Sequence, residues 1–303
     1  MIWKSLKNIS KWLWMAALLG FIVFYAINKK ALIAQTFSLL SFQSLLLAFI
    51  LILAGKLCLV QNMSIATKHF KIFLGWRDCY CIYNLTQLAK YIPGSIWQFV
   101  GRFSILHERG IAKHTIRDSM IAEHLWIIAS ASLLAILLSF NRVREFFVAK
   151  LAEYSPDILF IWGLVILAIL IGAIILFILF SRRLFFWFLR ILPPFSAIPT
   201  LVLTWVFLGA SLWVTLEPYV TSMPSVFYII GIYCFAYVMG FSVPFAPAGS
   251  GIREAILTFA LTFHIDADVA ILLAAVNRII YFAVEIVLAM SCLRIKSRNQ
   301  LSI

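Results

Sequence analysis

The sequence predicts an all-α, polytopic integral membrane bundle with two broken or re-entrant elements, and three observations predict it. Of 303 residues, 64% are apolar and only 12% charged, against about 25% charged in an ordinary water-soluble domain. Apolar runs long enough to cross a hydrocarbon layer of ~30 Å recur near 12–27, 39–60, 119–140, 158–180, 200–216, 226–243 and 269–292. The runs are continuous and do not alternate with period two, which disfavours a β-barrel.

The start, MIWKSLKNISKW, leads into an apolar run without an A-x-A-like cleavage site and is read as an uncleaved first span. The whole chain, 1–303, is read as one transmembrane domain with cytoplasmic termini in the plasma (cell inner) membrane. Basic residues near span ends stay on the cytoplasmic side. Counted by loop, sixteen lie on one side: Lys4, Lys7, Lys11, Lys68, Lys71, Arg77, Arg102, Arg109, Lys113, Arg117, Arg182, Arg183, Arg190, Arg294, Lys296 and Arg298. Five lie on the other: Lys29, Lys30, Arg142, Arg144 and Lys150. The net charge of +13 is therefore a topology signal with attraction to anionic lipid, and no nucleic-acid partner is expected. Five scattered cysteines lack a C-x-x-C pair and read as packing residues.

Four cations remain at membrane depth: Lys56, Lys90, Arg253 and Arg278. Such charges are expensive in lipid and mark partners or pathways. Two of them adjoin helix breaks. Between cytoplasmic Arg77 and Arg102, the stretch CYCIYNLTQLAKYIPGSIWQFVG must enter and return, which predicts a re-entrant element at about 79–101. Pro93 and Gly94 break it, and Ser95 with Gln98 forms an S-x-x-Q box that starts a new helix. A second break, VPFAPAGSGIREAILTF, contains Pro247, Gly249 and Gly251, with Ser250 placed to cap a helix beginning near Ile252. That element, about 244–264, is short for a crossing and is expected to enter from and leave to the outside. Paired breaks in two halves point to a transport site and an inverted repeat. Both six crossings with two hairpins and eight crossings fit the charge pattern.

Helical spacing puts Arg278, Tyr281 and Glu285 on one face of the last span, and Ser119, Glu123, Trp126 and Ser130 on one face of another. Glu123, Glu254 and Glu285 can neutralise Arg253, Arg278 or Lys90. HERGI at His107 lacks the second histidine of a zinc-protease helix, and no cofactor or metal is expected.

The motifs YIPGSIWQFVGR (91–102), the following run that reaches Glu123, PFAPAGSGIRE (244–254) and Arg278 resemble the transmembrane region of the lysylphosphatidylglycerol synthase family, also described as flippase-like. Ser95 departs from a glycine often found in the first motif. The resemblance covers nearly the whole chain, and the family's soluble synthase domain is not part of this sequence. It implies translocation of a lipid or lipid-linked substrate, an anionic phospholipid or a polyprenyl-linked glycan. It also admits a separate synthase or glycosyltransferase chain as partner, and an oligomer. The expected substrate-contacting set is Lys90, Pro93, Gly94, Ser95, Arg102, Glu123, Pro247, Gly249, Gly251, Arg253, Glu254, Arg278 and Glu285. The chain is read as a non-enzyme. Two alternatives are an integral-membrane transferase using Glu123 or Glu254 as base, and a non-catalytic scaffold.

Overall fold

The computed structural model describes residues 27–92, 96–151, 189–220, 222–243 and 246–300, with Gly20, 23–25 and Trp187; side chains of 140–151 and 296–300 are excepted. The predicted spans 12–27 and 158–180 lie outside these residues, apart from Gly20, residues 23–25 and Ile27.

The described residues form an all-α bundle of nine α-helices: α1 Lys30–Leu39, α2 Phe42–His69, α3 Trp76–Gln87, α4 Trp97–Glu108, α5 Lys113–Leu151, α6 Ala197–Trp213, α7 Val226–Ser242, α8 Ile252–Leu261 and α9 Ala267–Gln300. Four apolar segments are long enough to cross a membrane, Phe42–His69, Lys113–Ser139, Ala197–Tyr219 and Ala267–Ile295. The protein is membrane-embedded. At ~1.5 Å rise per residue, the 28 residues of α2 cover the hydrocarbon layer with room for tilt. Its start is set by Ser41, whose Oγ accepts the Ser44 N–H at 3.0 Å.

The remaining elements are too short to cross alone. Helices α3 and α4 have twelve residues each, and they are joined through a tight turn at Leu88–Tyr91. Arg109 beside the end of α4 pairs with Asp78 at the start of α3, 2.9 Å apart, so this hairpin enters and leaves at one end of the bundle. Helix α7 has 17 residues and α8 ten, with a turn at Pro247–Gly249 between them. The Tyr228 hydroxyl near the start of α7 donates to the Ala260 carbonyl near the end of α8 at 3.3 Å, so the second hairpin also returns to its own end.

Contacts at the two ends show that these ends are opposite. His69 closes α2 and bonds the Arg190 carbonyl at 2.9 Å, at the end that also holds Arg109. At the other end Lys29 pairs with Asp268 at 2.6 Å, and Tyr219 hydrogen-bonds the Thr36 carbonyl. Asp268 holds the Lys29 ammonium above the usual lysine range through that contact. The chain thus uses four described crossings and two opposed hairpins. The apolar run at 226–243, which alone reads as a span, is the inbound arm of the second hairpin, which therefore begins well before residue 244.

The packing is an inverted repeat. Exchange α2 for α6, α3 for α7, α4 for α8 and α5 for α9, and the helix contacts map onto one another. Thus α2 packs on α3 as α6 does on α7, α3 on α9 as α7 on α5, and α4 on α5 as α8 on α9. The α2–α6 contact and the contact between the two hairpin turns map onto themselves. In lipid, helices associate through close packing and interhelical hydrogen bonds, since the hydrophobic effect gives no drive between them. Both features are present. A Cβ on Gly209 of α6 would lie 2.6 Å from the Ile230 Cα of α7. Trp205 donates to Ser130 at 2.9 Å, and Asn277 to Ser211 at 3.0 Å.

Candidate functional site

The two hairpin tips touch, and a cavity of about 270 Å³ lies at their junction. From the first tip come Lys90, Ile96, Gln98 and Phe99; from the second, Val243, Ala246, Ala248, Gly249 and Arg253. The crossings and inbound arms add Leu59, Tyr83, Gln87, His124, Ile127, Tyr237, Gly240, Phe241 and Tyr281. Both return helices, α4 and α8, start at this cavity, so their positive ends converge on it.

The second tip is shaped by three positive backbone φ angles, at Ala248 (52°), Gly249 (70°) and Gly251 (87°). Two are glycines, which tolerate this region without a Cβ clash. Gly249 also sits where a Cβ would come within 2.9 Å of Gly240 Cα and O. The start of α8 is held by Glu254, whose carboxylate accepts the Gly251 N–H at 2.6 Å. Ser250, expected as the cap, lies one residue outside and instead faces Arg278 at 3.4 Å. Carboxylates are favoured in a first helical turn, so Glu254 serves better there.

Glu285 of α9 is the hub. One carboxylate oxygen accepts Lys56 Nζ at 2.7 Å and Lys90 Nζ at 2.5 Å, and the other accepts the Tyr91 hydroxyl at 2.8 Å. Lys56 and Glu285 are fully enclosed, and Lys90 is nearly so. Beside the hub, four cations surround the Tyr281 ring: Lys90 at 5.0 Å, Lys56 at 5.2 Å, Arg253 at 5.7 Å and Arg278 at 5.8 Å from its centroid. Aromatic faces attract cations, more so when both are desolvated. Arg253 also stands over Tyr233 at 5.4 Å and Tyr237 at 5.2 Å. It is 7% exposed and, unlike the other three, has no carboxylate partner among the described residues. Its exposure is toward the cavity.

Two more ion pairs tie each return helix to the crossing that follows it. Arg102 of α4 donates to Glu123 of α5 at 2.7 Å, and Arg278 of α9 meets Glu254 of α8 at 3.4 Å. Arg278 also donates to the Ala248 carbonyl at 2.9 Å. Arg102, counted from sequence with the cytoplasmic loops, is only 2% exposed; one helical turn and a half into α4, it is carried inside by the return of the hairpin. It stacks on Tyr83 at 5.0 Å and does not reach the cavity wall.

Of the expected set, Lys90, Gly249 and Arg253 line the cavity. Glu285 anchors Lys90 from behind and holds Lys56 on the same oxygen, Arg278 and Glu254 brace the second turn, and Pro247 and Gly251 build its backbone. Arg102 and Glu123 stand behind Tyr83. Pro93, Gly94 and Ser95 lie outside the described residues; the first described position before α4 is Ile96, at its N-cap. Tyr83, Tyr233, Tyr237 and Gln87 were not singled out from sequence. A signal existed: Tyr83 and Gln87 on α3, and Tyr233 and Tyr237 on α7, sit at i, i+4, and put hydrogen-bonding tips in mid-membrane helices away from the interfaces where tyrosine usually lies.

The chain matches no family model and no curated protein. A second hollow, about 870 Å³, opens between α4, α5 and α7 and is lined by Val100, Phe103, Met120, Ile121, Leu125 and Ile128 among others. It shares Phe99, His124 and Phe241 with the cavity. An apolar groove thus lies beside a cationic, tyrosine-lined chamber, and the rings of Phe99, His124 and Phe241 form the wall they share. Among the described residues no group of three or more potential metal ligands is assembled.

Proposed function

We propose that this protein is a flippase-like translocator that passes the anionic headgroup of a lipid between leaflets through the chamber at the hairpin junction. The observation that carries the reading is the meeting of two broken elements, entering from opposite ends, around a cavity walled by Lys90 and Arg253. Irregular backbone at that depth is tolerated in protein or beside a wet cavity, not against lipid. Half-helix N-termini aimed at a mid-membrane site suit an anion, and opposed hairpins suit a site reached alternately from each side. The side groove supports a lipid over a free solute, because it offers a hydrocarbon chain Phe103, Ile121 and Ile128 next to the wall it shares with the chamber that holds Arg253. Arg253 offers the planar fork that matches phosphate, and Lys90 a point charge.

The resemblance to the lysylphosphatidylglycerol synthase transmembrane region supports the same reading. The basic end, with His69, Arg109 and Arg190, faces the cytoplasm in this proposal, in a plasma membrane. The test is leaflet exchange of tail-labelled anionic lipids in proteoliposomes. Exchange well above protein-free vesicles, lowered at least tenfold by Arg253→Gln, is the expected result. A covalently altered lipid would instead favour the transferase, and exchange equal to empty vesicles would leave the scaffold.

A further inference from the structure

We infer that the group held in the chamber is a doubly charged phosphate, a phosphomonoester or a diphosphate, and that zwitterionic and aminoacylated headgroups are excluded; this rests on the translocation reading above. Four cations, Lys56, Lys90, Arg253 and Arg278, surround Tyr281. Among the described residues only two carboxylates answer them, Glu285 and Glu254. The Arg102–Glu123 pair, behind Tyr83, is neutral by itself. The other acids with described side chains lie elsewhere: Asp78 pairs with Arg109, Asp118 with Arg117 and Asp268 with Lys29, Glu108 accepts from Ser104, Asp266 accepts the Asp268 N–H, and Glu217 sits in the turn after α6. With the ammonium and guanidinium groups charged, the site carries an excess of two positive charges in surroundings that screen poorly.

Part of that excess is softened by the faces of Tyr83, Tyr91, Tyr233, Tyr237 and Tyr281, but an aromatic quadrupole does not cancel a net charge. A ligand does. A phosphodiester such as phosphatidylglycerol brings one negative charge and leaves one unmatched. A phosphomonoester brings about −1.5 to −2 at neutral pH, and a diphosphate at least as much. An aminoacylated phosphodiester brings an ammonium into a site already too positive, and like charges at close range are strongly disfavoured. Arg253, 93% buried and without a carboxylate in ion-pair contact among the described residues, is the cation whose partner the ligand supplies. Gln87 and Gln98 on the wall can serve the remaining oxygens.

Binding to the purified chain in detergent separates this from transport. The probes are a C15 prenyl diphosphate, dioctanoyl phosphatidic acid, dioctanoyl phosphatidylglycerol, its lysyl ester and inorganic diphosphate, read by thermal shift and by competition with labelled prenyl diphosphate. The two dianionic lipids are expected to bind at least tenfold more tightly than phosphatidylglycerol, and the lysyl ester weakest. Gln98→Glu, which places one negative charge on the wall, should shrink that preference below threefold without altering elution on gel filtration. Arg253→Gln should weaken diphosphate binding at least tenfold. Inorganic diphosphate competing as well as the prenyl form would support the charge requirement and assign it to free phosphate; competition by the prenyl form alone assigns it to a lipid. Phosphatidylglycerol or its lysyl ester binding as tightly as the diphosphate overturns the inference, as does an unchanged preference in Gln98→Glu. A kept dianion preference with no leaflet exchange would sink translocation alone.

Discussion

Glu285→Gln isolates the hub. The substitution keeps the size and one acceptor oxygen but deletes the charge that two lysines share. Because Lys56 and Lys90 sit at 2.7 and 2.5 Å from the same oxygen, their ammonium groups are at most about 5 Å apart. At an effective dielectric of about 20, two unit charges at that separation repel by about 3 kcal/mol, a repulsion the carboxylate now more than offsets. Removing one partner of a buried ion pair generally costs about 3–5 kcal/mol, which agrees. The variant should therefore unfold at lower denaturant, by an amount equivalent to about 3 kcal/mol. The second replacement, Lys56→Met in the same chain, removes one ammonium and should recover more than half of the loss.

The assay is denaturant unfolding of the purified protein in mixed micelles, with wild type, both single variants and the double variant forming a cycle. Lys56→Met alone leaves Glu285 with Lys90 and Tyr91, so its cost should be smaller than that of Glu285→Gln. If Glu285→Gln is as stable as wild type, or if the double variant is as weak as the sum of the singles, the two lysines do not share one carboxylate and the reasoning fails.

Three further outcomes follow from particular contacts. Arg102→Leu should cost about 3–5 kcal/mol by stranding Glu123, whereas Arg102→Leu with Glu123→Leu should cost far less, measured by the same unfolding curves. Gly209→Ala forces a Cβ against the Ile230 backbone and should destabilise by about 1–3 kcal/mol as an overpacked contact, while Gly110→Ala, with open space around it, should show only the smaller effect of its φ of +79°. In a cysteine-free background, single cysteines at Lys71 and Glu108 should label from one side of the membrane, and those at Thr262 and Asp266 from the other. Labelling of Glu108 and Lys71 from opposite sides would break the first hairpin.

Much of the architecture was legible because membrane crossings announce themselves by length. The crossings α2, α5, α6 and α9 fall on the runs near 39–60, 119–140, 200–216 and 269–292, and both breaks coincide with Pro and Gly clusters. The inward faces were legible too: Ser119, Glu123 and Trp126, and Tyr281 with Glu285, are buried as their helical spacing predicts. Two things were not. Whether 226–243 crosses or turns back depends on what α8 does ten residues later, and an apolar run looks the same in both cases. The pairing of charges depends on which helices touch, which spacing along the chain does not encode. Arg102 shows the cost: a loop count assigns it to water, and only the returning hairpin reveals that it is inside, opposite Glu123.

Glu123, Glu254 and Glu285 divide the labour of the inverted repeat. Glu123 and Glu254 act within a repeat, each joining a return helix to the next crossing, and the polarity is swapped: arginine on the hairpin in the first half, glutamate on the hairpin in the second. These locks are each neutral and fix each hairpin to its own half. Glu285 acts between halves, since Lys56 and Lys90 belong to the first and Glu285 to the second. The seam between halves is therefore where charge is left over, with Lys90 and Arg253 facing each other's repeats across Tyr281. Symmetry accounts for why the chamber lies there: a seam is the one place that two opposed hairpin tips both reach. The uneven sharing of carboxylates, not the symmetry, is what leaves the chamber lined by cations.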